Sequence, residues 1–250
     1  AGAASVTAVD VSAFAVEQAR ENARLNGLEE RMDFVCADVF DLLPDLPIEC
    51  ADPVTGAPDV STSVSVVCCS VDDQRFQAMK RSYERALADW PHEIIRIADA
   101  TSLAEGYTRG CAQARGENVI FTHDDVEVLP ADFGVRVRRR LAECDILGIA
   151  GASRATGPAW PFAGRPYLHG CVIYPQDGGY NVTVYSQVAP IARGLRVLDG
   201  VFLAMPRAVA LAVGWDAATC DGFHGYDVDF TLRAAQRGFR LAVASDLGIV

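Results

Sequence analysis

Apolar residues fall into two rhythms along the chain: short unbroken runs, and longer stretches with an apolar position every three or four residues. Val6–Val9 is a run that ends at Asp10. Ser12 then stands as a cap ahead of a helical pattern over Ala13–Leu25, with Phe14, Val16, Ala19 and Ala23 available for burial. Asn26-Gly27 stops that pattern, and Met32–Cys36 is a second run leading to Ala37-Asp38. Strand, helix and strand in this order make a β-α-β unit over residues 1–47, and the right-handed crossover predicts parallel strands. Residues 48–62, with Pro53, Gly56 and Pro58, read as a linker.

The same alternation is stronger beyond residue 63. Val64–Cys69 has the pattern of a buried strand, and a helix is predicted over Gln74–Ala88. A strand at Glu93–Ile97, a helix over Leu103–Ala114 and a strand at Asn118–Phe121 follow. Pro130 opens a helix to about Leu141, and Ile146–Ala150 returns as a strand. Residues 151–190 are rich in glycine, proline and aromatics and predict loops and a hairpin rather than core. Short strands at Val197–Asp199 and Phe202–Met205 flank Gly200. A helix from Tyr226 to Arg237 stops at Gly238, and Leu241–Ala244 is the last strand. The expected class is α/β, a largely parallel sheet with flanking helices over 63–250, preceded by the β-α-β fragment.

Composition narrows the function classes. A net charge of −11 argues against a nucleic-acid binder, which needs a basic face. Arg136, Arg138, Arg139 and Arg140 cluster on one predicted helix and read as its solvated face. Acidic residues outnumber basic ones ten to three over residues 1–50 and 23 to 19 beyond, which supports the division into two blocks. Eight cysteines without a CxxC pair predict a reduced, cytoplasmic protein, with Cys68 and Cys69 as small core residues. No apolar run approaches the roughly 18–20 residues of a membrane span.

Two acidic stretches carry the candidate chemistry. "FTHDDVEV" places His123, Asp124, Asp125 and Glu127 directly after an apolar strand. In an open parallel sheet ligands bind beyond the carboxyl ends of strands, and a histidine with two carboxylates suits a divalent cation and its phosphate oxygens. A solvated strand-to-helix turn explains the same residues. "CDGFHGYDVDF" places Asp221, His224, Asp227 and Asp229 around a helix start. Capping and the helix dipole account for one or two of these acids, and a carboxylate aimed into a cleft can serve as a general base. Together, a metal-diphosphate site and a remote base make the logic of sugar transfer from a nucleotide-sugar to a hydroxyl.

At these residues the sequence resembles a known group. "SVVCCSVDDQRF", "SLAEGYTRGCAQARGENVIFTHDDVEV", "VLDGVFLAMPRAV" and "GWDAATCDGFHGYDVDFTLRAAQRGFRLAV", in this order, resemble the GT-A-type glycosyltransferases of the family 2-like group that includes domains related to the streptomycin-biosynthesis StrF protein. The resemblance implies a nucleotide-sugar donor, a saccharide or other hydroxyl acceptor and inversion. It also implies a divalent cation, Mn or Mg, at Asp125 with His123. His123 stands where many relatives have the first Asp of the motif, and Tyr226 where many have Glu. Asp227 matches the catalytic base, with Asp229 as the near alternative. Ser70, Asp99 and Asp124 match nucleotide-contacting positions, and Asp199 and Gly200 the acceptor-side turn. Metal-using relatives often carry a histidine beyond the last strand, so the domain is expected to be cut short at its C-terminus. A non-catalytic nucleotide-sugar or carbohydrate-binding module on the same scaffold is the alternative.

The first block has its own likeness. "VTAVDVSAFAVEQARENARLNGL" and "MDFVCADVFDLL" resemble the middle of a class I S-adenosylmethionine-dependent methyltransferase, with Asp10 at the ribose-binding and Asp38 at the adenine-contacting position. The preceding strand, its glycine-rich turn and the catalytic half are missing. The block is expected to be a remnant, and S-adenosylmethionine-dependent methyl transfer by this chain is the third and least favoured reading.

Overall fold

A computed structural model describes residues 6–10, 32–36, 62–176, 179–185 and 190–250. The chain divides into two compact units, Ala1–Asp52 and Pro53–Val250. In the first, β1 (Val6–Asp10) and β2 (Met32–Cys36) pair in parallel, with Val6 opposite Met32 and Asp10 opposite Cys36. The expected helix over 13–25 and the linker over 48–61 lie outside the described residues.

The second unit is built on a seven-stranded sheet. In chain order its strands are β3 (Val64–Cys69), β4 (His92–Ile97), β5 (Asn118–Thr122), β6 (Ile146–Gly148), β10 (Ile191–Leu195), β12 (Phe202–Pro206) and β13 (Leu241–Ala244). Across the sheet they run β10-β13-β6-β12-β5-β3-β4. Five of the seven point the same way, because β12 is antiparallel to both β5 and β6 while the β3–β4, β3–β5 and β6–β13 pairs are parallel. The sheet is therefore largely parallel, with β12 and β10 reversed.

Alternation along the strands sorts side chains to two faces. Val64, Val66, Cys68 and Ile120 join one core with α1 (Asp73–Ala86) and α3 (Phe133–Leu141). Val67, Val119 and Phe121 join the other with α2 (Leu103–Gln113), α4 (Arg207–Val213) and α5 (Tyr226–Gln236). Local signals start the helices: Asp72 accepts from the amides of Gln74 and Arg75, and Ser102 from that of Glu105. The short helix α4 and the edge strand β10 were not predicted.

A four-stranded sheet, in the order β11-β7-β8-β9, branches from the first. It comprises β7 (Ala150–Ala152), β8 (Leu168–Gln176), β9 (Gly179–Val184) and β11 (Val197–Leu198), with β7 following β6 and β11 preceding β12. The predicted hairpin is the β8–β9 pair. The expectation that 151–190 holds no core is corrected: Trp160 and Leu168 are buried with Ala150, Ala152, Val197 and Val228. These partners come from three separate places in the chain, so no local pattern announces them.

The arginine cluster is also corrected. Arg140 is buried and pairs with Asp246 (2.7 Å) and Glu143 (3.2 Å). Arg138 lies over the Trp90 ring, and Arg136 pairs with Asp132. Phe133, Val137 and Arg140 share the inward face at helical spacing, so the side chain sits where an apolar residue would.

Candidate active site

The strand order locates the site. From β3 the chain crosses through α1 to β4 on one side and returns through α2 to β5 on the other. Connections that leave neighbouring strands in opposite directions open a crevice at their carboxyl ends, where ligands of α/β sheets bind. Ser70 follows β3 and Asp124 follows β5, and across that crevice the buried Ser70 hydroxyl donates to Asp124 Oδ2 at 2.7 Å. Arg96 Nε donates to the Ser70 carbonyl at 3.0 Å.

The antiparallel strand β12 brings in the second wall. Phe202 stands opposite Thr122, so the turn that enters β12 lies beside the turn that leaves β5. The amide of His123 donates to the Val201 carbonyl at 3.2 Å, and the buried Thr122 hydroxyl accepts from Tyr83 at 3.0 Å. In the entering turn, Asp199 accepts from the Val201 amide at Oδ1 (2.8 Å) and from the Trp160 indole at Oδ2 (2.5 Å). The amide of Gly200 donates to Asp227 Oδ2 at 3.0 Å.

Gly200 is required here by space. A β-carbon on it would come within 2.2 Å of the Tyr226 hydroxyl and 2.8 Å of the Asp227 β-carbon. The α5 helix starts from Gly225, whose φ of 78° is the left-handed conformation glycine adopts freely. This start delivers Tyr226 and Asp227 against the turn. His123 Nε2 and the Tyr226 hydroxyl share a hydrogen bond of 2.7 Å, in a sense set by the histidine tautomer. The two acidic stretches, 103 residues apart at this bond, are therefore one constellation.

Its acids differ in state. Burial raises the Asp227 carboxyl above its ordinary value, and the Asp199 charge adds to the effect, against the amides of Gly200 and Val228. Burial together with the Asp227 and Asp199 charges pushes the Tyr226 hydroxyl well up, so it stays protonated. Asp229, two residues on, is held by both Arg233 Nε (2.9 Å) and a terminal Arg233 nitrogen (2.6 Å). Arg233 in turn donates to the carbonyls of Val213 and Gly214. Asp229 thus anchors α5 to the end of α4, and Asp227 is the acid that faces the turn.

Among the described residues, Asp125 is exposed and accepts no hydrogen bond, and Asp124 keeps one oxygen without a partner. No group of three or more metal-binding side chains occurs among the described residues. One or two carboxylates nevertheless fit Mg or Mn, which complete their shells with phosphate oxygens and water. Asp99 is exposed and paired with Arg109 (2.9 Å), outside this network. Asp10 ends β1 in the other unit, and Asp38 lies outside the described residues. The sequence did not single out Trp160 for Asp199 or Tyr226 for His123. An aromatic with a polar tip in a segment read as loop is the signal that was available for Trp160.

Among the described residues no helix is long and apolar enough to cross a membrane. No curated protein matches the chain. Solved structures similar to it include a mannosyltransferase, PcManGT, from Pyrobaculum calidifontis in complex with GDP-Man and Mn2+, at 14% identity and a TM-score of 0.46, covering 94% of this chain and 66% of that one. GalNAc-T7 with UDP, GalNAc and Mn2+ matches at 12% identity and a TM-score of 0.44, over 73% of this chain and 42% of that one. The chain thus spans just under two thirds of the mannosyltransferase and less than half of the other. Residues 65–247 match the model of a family described as glycosyltransferase like.

Proposed function

The chain belongs to the glycosyltransferase-like family, and from that premise we propose that it moves a sugar from a nucleotide-sugar to an acceptor hydroxyl with inversion, in the manner of the StrF-related group. The observation that carries this reading is the contact between His123 and Tyr226, which joins a strand-end acid pair to a helix-start acid. Asp227 takes the acceptor proton. Its raised proton affinity suits a base, and the Gly200 amide fixes its orientation. The acceptor oxygen bonds to the anomeric carbon as the bond to the diphosphate oxygen breaks, and the nucleoside diphosphate leaves. A single base without a nucleophile partner suits one displacement. Asp125 and Asp124, with His123 beside them, would hold a divalent cation, which supplies charge neutralisation for the leaving diphosphate. Ser70 orients Asp124, and Asp199 with Gly200 forms the acceptor-side turn.

The first unit enters this proposal as a methyltransferase-like remnant, supported by its parallel strand pair with Asp10 at a carboxyl end. Free cysteines among the described residues support a cytoplasmic setting. A donor panel of nucleotide-sugars, assayed for transfer and hydrolysis with the wild type, Asp125→Ala and Asp227→Ala, tests the roles. Folded variants that both keep full turnover would overturn them. Donor binding by calorimetry without any product would favour the binding-module reading, which the departures from the family pattern at His123 and Tyr226 motivate.

A further inference from the structure

A second concave site lies at the opposite end of the central sheet. Because β5, β6 and β13 run the same way, the crevice holding Asp124 is at their carboxyl ends, whereas this cavity opens where β6 and β13 begin, beside β10. It encloses about 440 Å³, room for a ligand of modest size. Its apolar lining comes from Leu195, Phe239 and Leu241, and its rim carries Arg193, Arg196 and Arg240.

The charges at this rim depart from the rest of the chain. Three guanidinium groups meet one lining acid, Glu143, in a protein of net charge −11. Arg193 spends one terminal nitrogen on Glu143, which the buried Arg140 also contacts. Arg240 forks onto Asp145. Arg196 is exposed, and its side chain has no partner among the described residues. A guanidinium carries five donors in a planar fork that fits the oxygens of a carboxylate or phosphate. Arg196 thus offers a complete fork and Arg193 most of one, above an apolar floor.

We propose that this cavity binds an amphipathic organic anion, its carboxylate or phosphate head on Arg196 and Arg193 and its ring or short chain on Leu195 and Phe239. The site is separate from the transfer centre and does not rest on the proposed reaction.

The test is calorimetry of the whole chain with phenyl phosphate and benzoate, which separate the two head groups, and with inorganic phosphate and phenol as halves of the ligand. At least one of the two anions binds below about 1 mM, and each half alone binds about tenfold more weakly or less. Arg196→Ala weakens the organic anion about tenfold, with an unchanged unfolding midpoint because the side chain is exposed. Arg196→Lys, which keeps the charge but loses the fork, falls between. The proposal is overturned if neither anion binds, if inorganic phosphate or phenol binds as well as the organic anion, or if Arg196→Ala leaves binding unchanged, which would put the anion elsewhere.

Discussion

Two clusters at opposite ends of the central sheet treat negative charge in opposite ways. Where β6 and β13 begin, acids meet arginines: Glu143 is held by Arg140 and Arg193, and Asp145 by Arg240. Where β3 and β5 end, Asp124, Asp199 and Asp227 meet only neutral donors, a serine hydroxyl, an indole and backbone amides, and Asp125 meets none among the described residues. One turn of α5 repeats the contrast, with Asp229 locked to Arg233 and Asp227 left beside a second carboxylate. Acids closed by arginine are part of the framework. Acids gathered without a cation keep an unmet electrostatic demand, which a metal, a proton or a hydroxyl from outside can satisfy.

The contrast is broken most severely at Asp227. Asp227→Asn retains an oxygen to accept the Gly200 amide but removes the proposed base, so kcat for transfer should fall about 10²–10⁴-fold with the fold intact. Asp229→Asn should instead lower the thermal midpoint and retain far more of kcat. Parallel turnover and melting measurements on the two variants check this, and equal losses of kcat would erase the distinction between them.

At the other end, Arg140→Ala strands Asp246, leaves Glu143 to Arg193 alone and empties a buried position, a loss of about 3 kcal/mol in urea unfolding. Arg240→Ala removes a pair whose arginine is exposed and costs less than about 1 kcal/mol. Gly200→Ala tests the wall between the acids: the new methyl collides with Tyr226 and Asp227, costing about 1–3 kcal/mol and most of the activity.

The smallest effect is in pH. A carboxyl whose value is raised on folding favours the folded state at low pH, and that advantage disappears as pH climbs through the raised value. Above about pH 4, therefore, wild type should lose stability relative to Asp227→Asn. Denaturant titrations of both proteins from pH 4 to 7 measure the gap, and kcat of the wild type should decline on the acid side as Asp227 takes up a proton.

The sheet was legible because its strands are apolar runs closed by caps and glycines that act locally, as at Val64–Cys69 and Ser102. The candidate acids were legible because a strand end and a helix start are marked in sequence. What joins them was not. The contact of His123 with Tyr226 depends on β12 lying beside β5, a pairing no local rhythm encodes. Trp160 was read as loop because its buried neighbours are distributed over 150–228. Arg140 was read as solvated by its type, although its spacing from Phe133 and Val137 marked the inward face.

The branched sheet has a consequence for how such a protein diversifies. Its hairpin leaves the main sheet after Gly148 and the chain returns to it at Ile191, the start of the edge strand β10, so residues added or lost within the β8–β9 hairpin alter neither the register of the seven strands nor the crevice between Ser70 and Asp124. The anchor of Trp160 on Asp199 and the pairing of β7 with β11 must be kept. Descendants of one ancestor can therefore exchange that hairpin, changing the outer surface while inheriting the sheet beneath it.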